Sequence, residues 1–238
     1  MPKDTWTKVR DAIASDLSTG LLKPGARLPT EPELIERFGV GRHSVRRALA
    51  DLAREGRLSI EQGRGTFVLP TPTIEYAIGR RTRLRKNLTK QGIDVAGQAL
   101  GAERVQANET AARALGISVG ADLVVTRRLT HADGVPVSFG SMHHDAARFP
   151  DFPERRGVMG SVSETYRSYG IEDYVRGSTE IHARPAHAAE SAILRQHGEM
   201  PVLVVRAIDT LCDGTPIAFS EVIWSAARVR FSFAPDEE

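Results

Sequence analysis

Between Gly41 and Leu52 the apolar residues recur at helical period. Val45, Leu49 and Leu52 fall on one stripe with Ala48 beside it. Arg42 and Arg46 are four apart and share a different face, and His43 and Arg47 form a second such pair. The pattern predicts a helix with one face to bury and a dense basic face left over. On its own such a face is an ordinary solvated surface, and the neighbouring segments decide whether it is more.

Upstream, Trp6, Val9, Ile13 and Leu17 predict a first helix over residues 5–19 that Gly20 stops. Leu21 to Pro29 is turn-rich, with Pro24-Gly25 as its turn signal. Thr30 is placed as an N-cap with Glu33 three residues on, a capping-box spacing, and Leu34, Ile35 and Phe38 supply the stripe of a short second helix. Phe38-Gly39-Val40-Gly41 is a tight turn into the basic helix. Two helices joined by a short Gly-containing turn predict a helix-turn-helix, with the Arg42/Arg46 helix in the recognition position, facing the major groove of DNA.

Past Glu55-Gly56 the period changes from helical to alternating. Leu58 and Ile60, then Phe67 and Val68, flank the loop from Glu61 to Thr66, which reads as a β-hairpin with a Gly-rich tip. Arg64 stands between Gly63 and Gly65, where a guanidinium could enter a narrow minor groove. Following a helix-turn-helix, this hairpin is a wing.

Leu69-Pro70-Thr71-Pro72-Thr73 marks a boundary: a DNA-binding domain over 1–69, a linker over 70–79 and a second domain over 80–238. Gly79 to Gly92 is intensely basic, with Arg80, Arg81, Arg83, Arg85, Lys86 and Lys90 and no acid between them. It is open at this point as a solvated helix, a DNA flank or the rim of an anion site. The second domain contains a weak repeat. An apolar helix near 111–115, a strand from Leu123, an Asp133-Gly134 turn and a strand to His143 are echoed by 188–194, a strand from Val202, Asp213-Gly214 and a strand to Trp224. With further strands near 96–105 and 175–184, an α+β fold follows: one antiparallel sheet covered by helices, a ligand near the junction of its halves.

Composition limits the chemistry. A chain of 238 residues holds two modest domains, and a net charge of +2 means that any nucleic-acid face must be a local cluster. The single cysteine, Cys212, excludes an internal disulfide and a thiolate zinc site. Met1 to Asp16 has no apolar signal core and no run approaches the ~20 apolar residues of a bilayer span, so the cytoplasm is the expected compartment. His143 and His144 are adjacent on a strand and point to opposite faces, and His182 and His187 lack carboxylates at ligand spacing, so no metal is expected. No Gly-x-Ser-x-Gly elbow or P-loop is present, and no enzyme is expected.

Residues 5–69 resemble the winged helix-turn-helix of the GntR family of bacterial transcription regulators. The resemblance rests on Gly20-Leu21-Leu22-Lys23-Pro24-Gly25, Leu28-Pro29-Thr30-Glu31, Phe38-Gly39-Val40, Arg42 with Ser44-Val45-Arg46, and Gly63-Arg64-Gly65-Thr66-Phe67-Val68. It implies that Arg42 and Arg46 contact bases, that His43 and Ser44 contact bases or backbone, and that Gly63 with Arg64 enters the minor groove. Arg47 and Thr30 complete the set. Pro32 stands where family members often carry a basic residue, so one contact is missing or replaced. More loosely, residues 80–234 resemble the UTRA effector domain of the HutC subgroup, whose fold is like chorismate lyase. Arg83-Leu84, Asn87-Leu88, Gln91-Gly92, Asp173-Tyr174, Arg176 and Thr179 are most similar to regulators of phosphonate utilisation. The resemblance implies a homodimeric repressor on operator DNA, released by a phosphonate, phosphate ester or phosphate, with no cofactor. A sugar phosphate or small carboxylate is the alternative effector. Arg128, Ser161, Ser163, Arg176, Glu221 and Arg83 are the candidate effector contacts. Sugar-phosphate sensors of the subgroup carry a second arginine at the position of Thr130, so anion binding here is weaker or falls to another arginine.

Overall fold

The computed structural model describes residues 5–19, 21–61, 63–69, 74–196, 198 and 200–233. Of the linker expected over 70–79, residues 70–73 lie outside the described residues, as do Gly20 and Gln62, and Ile74–Ile78 form a strand instead. The chain forms two compact units. One comprises Met1–Ile74, Pro185–Val202 and Ser225–Val229, the other Glu75–Arg184, Leu203–Trp224 and Arg230–Glu238.

The first unit holds α1 (Thr5–Ser18), α2 (Glu31–Phe38), α3 (Arg42–Arg54) and the hairpin of β1 (Leu58–Glu61) and β2 (Gly65–Val68). The stripes read from the sequence make its core: Val9, Ile13, Leu34, Val45, Ala48, Leu49, Leu52, Leu58 and Val68 are all buried together. Thr30 closes the capping box of α2: its amide and hydroxyl both donate to Glu33 Oε2, at 2.6 and 2.8 Å. These two bonds pull the Glu33 carboxyl below its usual pKa. Gly39 ends α2 in the left-handed region at φ 62°, a conformation that Gly adopts at no cost.

This unit also contains a helix from late in the chain, α8 (Ala188–Leu194). Its C-terminal carbonyls are bound twice. Ser59 Oγ on β1 donates to the Arg195 carbonyl at 2.7 Å, and the buried Arg228 donates to the carbonyls of Leu194 and Arg195.

In the second unit six strands lie in the order β4-β5-β6-β9-β8-β7: β4 (Val95–Gln106), β5 (Asp122–Ala132), β6 (Val135–Asp145), β7 (Val175–Pro185), β8 (Pro201–Thr210) and β9 (Pro216–Ser225). A smaller sheet pairs β3 (Ile74–Ile78) with β10 (Val229–Phe233). The repeat is visible in that order. Each half runs strand, helix, hairpin, the helix of the first half being α5 (Glu109–Leu115), and the halves meet where β6 pairs with β9. The β5–β6 turn takes Asp133 and Gly134 at φ 48° and 76°, as a two-residue hairpin requires.

Register fixes which residues face where. Arg128 lies opposite Gly140, which lies opposite Val222, and Thr130, Ser138 and Trp224 form the next row. With side chains alternating along each strand, the even-numbered residues of β5, β6 and β9 share one face. That face is covered by α4 (Leu84–Thr89), α6 (Phe152–Met159) and α7 (Val162–Arg167); α5 packs on the other, against Leu123, Val125 and Phe219.

The two adjacent histidines divide accordingly. His143 stands against Phe219, while His144 stacks on Phe152 at 3.7 Å and shares a hydrogen bond of 2.9 Å with the Tyr166 hydroxyl. His144 is fully buried, and burial pushes its pKa down to about 3. The unfolded chain takes that proton near pH 6.5 and the folded chain does not until about 3, so stability is lost as pH falls between them, by at most about 1.4 kcal/mol per pH unit. Urea midpoints at pH 7.5, 6 and 5 should fall more steeply for the natural chain than for His144→Gln. Equal slopes would assign the loss to other groups.

Candidate nucleic-acid interface and ligand cavity

The basic face of α3 is exposed, as its pattern requires, but its arginines are not idle. Arg46 Nε donates to both oxygens of Glu31 at 2.9 Å, and Arg42 Nε reaches the same carboxylate at 3.2 Å. Glu31 is the first residue of α2, so one carboxylate bridges the two helices of the helix-turn-helix. Arg47 lies over the Trp6 ring at 4.3 Å, and His43 is exposed beside it. Ser44 is half-buried, its amide donating to the Gly41 carbonyl at 3.0 Å. The hydroxyl of Thr30 is spent on Glu33.

At the wing, Arg64 pairs with Glu61 and leans over Phe67, 5.9 Å from the ring centre. Gly63 takes φ 75° and Gly65 φ 120°. Arg27, which the sequence reading passed over, lies against this tip. A Cβ on Gly65 would stand 2.6 Å from its Nε. Two guanidiniums, Arg27 and Arg64, therefore share the wing. The only sequence signal for Arg27 was its place in the turn before Leu28, which is no signal of a wing contact.

The second unit contains a cavity of about 280 Å³ on the covered face of its sheet. Its floor is Thr126, Arg128 and Thr130 of β5, Ser138, Gly140 and Met142 of β6, and Ser220, Val222 and Trp224 of β9. Of the six candidate residues, Arg83, Arg128, Ser161, Ser163 and Arg176 line it and Glu221 does not. Glu221 is odd-numbered on β9, and its Oε2 accepts from Arg206 Nε at 2.7 Å.

The five that do line it differ in what they have to offer. Arg176 Nε donates to the buried Asp209 at 2.7 Å. Arg83 donates to the carbonyl of Tyr174 at 2.7 Å and lies 3.6 Å over that residue's ring. Ser161 caps α7 through the Glu164 amide at 3.1 Å, and Ser163 bonds the Tyr174 hydroxyl at 3.1 Å. Arg128 is the one of the three arginines with no ion pair to a carboxylate among the described residues: its Nη2 donates to the Gly97 carbonyl at 2.7 Å.

Two further arginines join Arg128. Arg85 of α4 and Arg156 of α6 line the same cavity. Nε and Nη1 of Arg156 are buried without any hydrogen-bond partner. Burial first, then the charges of Arg128 and Arg85, push its guanidinium down to about 10. Burial and Arg85 lower Arg128 in the same direction. Among the described residues no ion pair neutralises Arg85, Arg128 or Arg156. Three guanidiniums that repel one another around a cavity have the chemistry to receive an anion.

Among the described residues no group of three or more His, Cys, Asp or Glu could hold a metal ion, and no helix is long and apolar enough to cross a membrane.

Residues 5–68 match the model for bacterial regulatory proteins of the gntR family, and residues 90–230 match the UTRA domain. The chain is 35% identical over 225 residues to an HTH-type transcriptional regulator of Rhizobium meliloti (strain 1021), covering 94% of this chain and 92% of that one. It is 25% identical over 230 residues to the HTH-type transcriptional repressor NagR of Bacillus subtilis (strain 168), covering 97% and 94%. Among solved structures, PhnF from Mycobacterium smegmatis aligns over 97% of this chain and 100% of that chain, with a TM-score of 0.64 and 25% identity.

Proposed function

The chain belongs to the gntR family of bacterial regulatory proteins and carries a UTRA domain, and from that premise we propose a repressor that holds a palindromic operator as a homodimer and lets it go when a small phosphorylated or phosphonate anion enters the cavity. The observation that carries the effector half of this reading is the unneutralised trio Arg85, Arg128 and Arg156. The α3 face, with Arg42 and Arg46 four residues apart, carries the DNA half. Two modules related by a dimer axis would read half-sites about one helical turn apart. The anion acts only through a difference in affinity between the DNA-bound and released arrangements.

The test begins with an operator selected from random duplexes by repeated binding. The full chain is then titrated with inorganic phosphate, phosphate esters, phosphonates and carboxylates, by thermal shift with and without that operator. A phosphorus anion that stabilises the free chain and releases the operator supports the reading. Stabilisation by carboxylates alone would move the effector to the other anion class. Turnover of any of these compounds would replace the regulator by an enzyme.

Gly97 supplies a second handle. A Cβ there would stand 2.6 Å from Nη2 of Arg128, the mobile end of a long side chain, so Gly97→Ala should displace the guanidinium rather than the sheet. The expected result is an unfolding midpoint near that of the natural chain, since Ala is no worse than Gly within a strand. The effector concentration for half-release should rise about tenfold, the loss of one ion-assisted hydrogen bond of about 1.5 kcal/mol. An unchanged release curve would separate Arg128 from effector binding.

A further inference from the structure

The cavity is much larger than the corner its arginines surround. Arg128 stands on β5, whereas Val205 and Ala207, which also line the cavity, stand on β8. Strands β6 and β9 lie between, so the floor runs over three strand spacings, roughly 14 Å. Polar capacity is not spread evenly along it. The lining serine and threonine hydroxyls on the cavity face with no bond among the described residues, those of Thr126, Thr130 and Ser138, all stand on β5 and β6. In the far half the side-chain polar groups other than the Tyr76 hydroxyl and the Trp224 indole N–H have partners among the described residues. Ser220 Oγ donates to the Ala207 carbonyl at 3.4 Å, Asp209 holds Arg176, and Arg83 holds Tyr174. The rest of that wall is apolar: Val205, Ala207, Val222 and the face of Trp224, which is stacked on Tyr76 with ring centres 5.1 Å apart.

Resting on the anionic-effector reading, we infer that the effector is amphipathic: a doubly charged phosphonate or phosphate head between Arg85, Arg128 and Arg156, joined to an apolar body that lies across β6 and β9 against Val222 and Trp224. Three guanidiniums with no ion pair among the described residues call for more than one negative charge, and a head with three oxygens offers each an acceptor. A polyhydroxylated body would lose its water in the far half and find few free partners beyond the Tyr76 hydroxyl and the Trp224 indole N–H, at the cost of unmade hydrogen bonds. An arene or short alkyl chain loses nothing there and removes apolar wall from water. Inorganic phosphate fits the head site and leaves the rest of the cavity empty.

The far half contains its own reporter. The chain has two tryptophans, Trp6 and Trp224, and Trp6→Phe keeps an aromatic partner for Arg47 while leaving Trp224 as the sole indole. This variant of the full chain is titrated with phenylphosphonate, methylphosphonate, inorganic phosphate, benzoate, glucose 6-phosphate and 4-aminobutylphosphonate. Phenylphosphonate is expected to bind at least tenfold more tightly than methylphosphonate or benzoate and to shift Trp224 emission to the blue. Methylphosphonate and phosphate should bind without that shift. Val222→Thr, a change of similar volume, should weaken phenylphosphonate about tenfold and leave methylphosphonate as it was.

Tighter binding of glucose 6-phosphate or 4-aminobutylphosphonate than of phenylphosphonate would overturn the apolar body while leaving the anion site intact. Benzoate equal to phenylphosphonate would overturn the double charge. Equal losses of both phosphonates in Val222→Thr would remove the contact. If no phosphorus anion binds in a way that Arg128→Gln weakens, the anionic-effector reading fails together with its refinement.

Discussion

Arg46→Ala is expected to weaken binding to the selected operator by about 1–3 kcal/mol, roughly 5- to 150-fold, and to relax discrimination at one base pair, with much less change on random DNA. The size follows from an exchange. In the free chain Arg46 is held by Glu31, an exposed ion pair of the kind that contributes about 0–1 kcal/mol. A bidentate contact to a guanine edge is worth about 1–3 kcal/mol of discrimination. Leaving Glu31 is therefore favourable on the right base and close to neutral on the wrong one. Glu31 lowers affinity for the operator, where its pair with Arg46 must be broken, and stabilises the complex with a wrong base, where the pair can be kept. It follows that Glu31→Gln should tighten binding to the operator at least as much as to random DNA, and so hold or widen the ratio between them. Gel shifts on both duplexes measure that ratio directly. If Arg46→Ala loses as much on random DNA as on the operator, Arg46 contacts phosphate and reads no base.

The DNA-facing half of this molecule was legible because local rules govern it. The stripe of Val45, Leu49 and Leu52 reappears as buried core, the Thr30–Glu33 spacing becomes two hydrogen bonds, and Gly63-Arg64-Gly65 forms the tip of a hairpin. Legibility stops where contacts depend on distant partners. Arg155 and Arg156 are adjacent on one short helix and look alike in sequence. Arg155 bonds Asp151 at 2.8 Å and covers Tyr169 at 4.2 Å, whereas Arg156 turns to the cavity with nothing to bond. Only the fold separates them. Strand parity offered part of the site in advance. Once Arg127, Ser141 and Glu221 are seen to be in register, Glu221 belongs to the face opposite Arg128. Nothing local marks α8 as part of the unit that contains the wing, because the bonds from Ser59 and Arg228 to its last carbonyls span more than thirty residues along the chain.

Arg156→Met is expected to change two quantities in opposite directions. Unliganded, the variant should be more stable than the natural chain; presented with a phosphorus anion, it should bind about 10- to 150-fold more weakly. The first effect comes from the charge itself. The Arg156 pKa is depressed to about 10 by burial and by Arg128 and Arg85, which means that the folded state opposes the charge that Arg156 carries at neutral pH. An apolar side chain of similar length relieves that opposition, by about 1 kcal/mol once screening by nearby solvent is allowed for. The second effect comes from losing a charged donor aimed at the ligand, worth about 1.5–3 kcal/mol per bond. A residue kept for packing cannot give both signs, because its loss would lower stability and weaken binding together. Arg155→Met provides the contrast on the same helix: it removes the Asp151 pair and the Tyr169 contact, so it should lower stability and leave anion affinity within about twofold. Urea unfolding of the free chains and calorimetric titration with phenylphosphonate read the two quantities separately. Destabilisation by Arg156→Met would refute the unpaired-charge account, and undiminished anion binding would take Arg156 out of the site. The combination of a stabler free protein and a weaker ligand would show that the stability forgone at Arg156 is recovered when the anion binds.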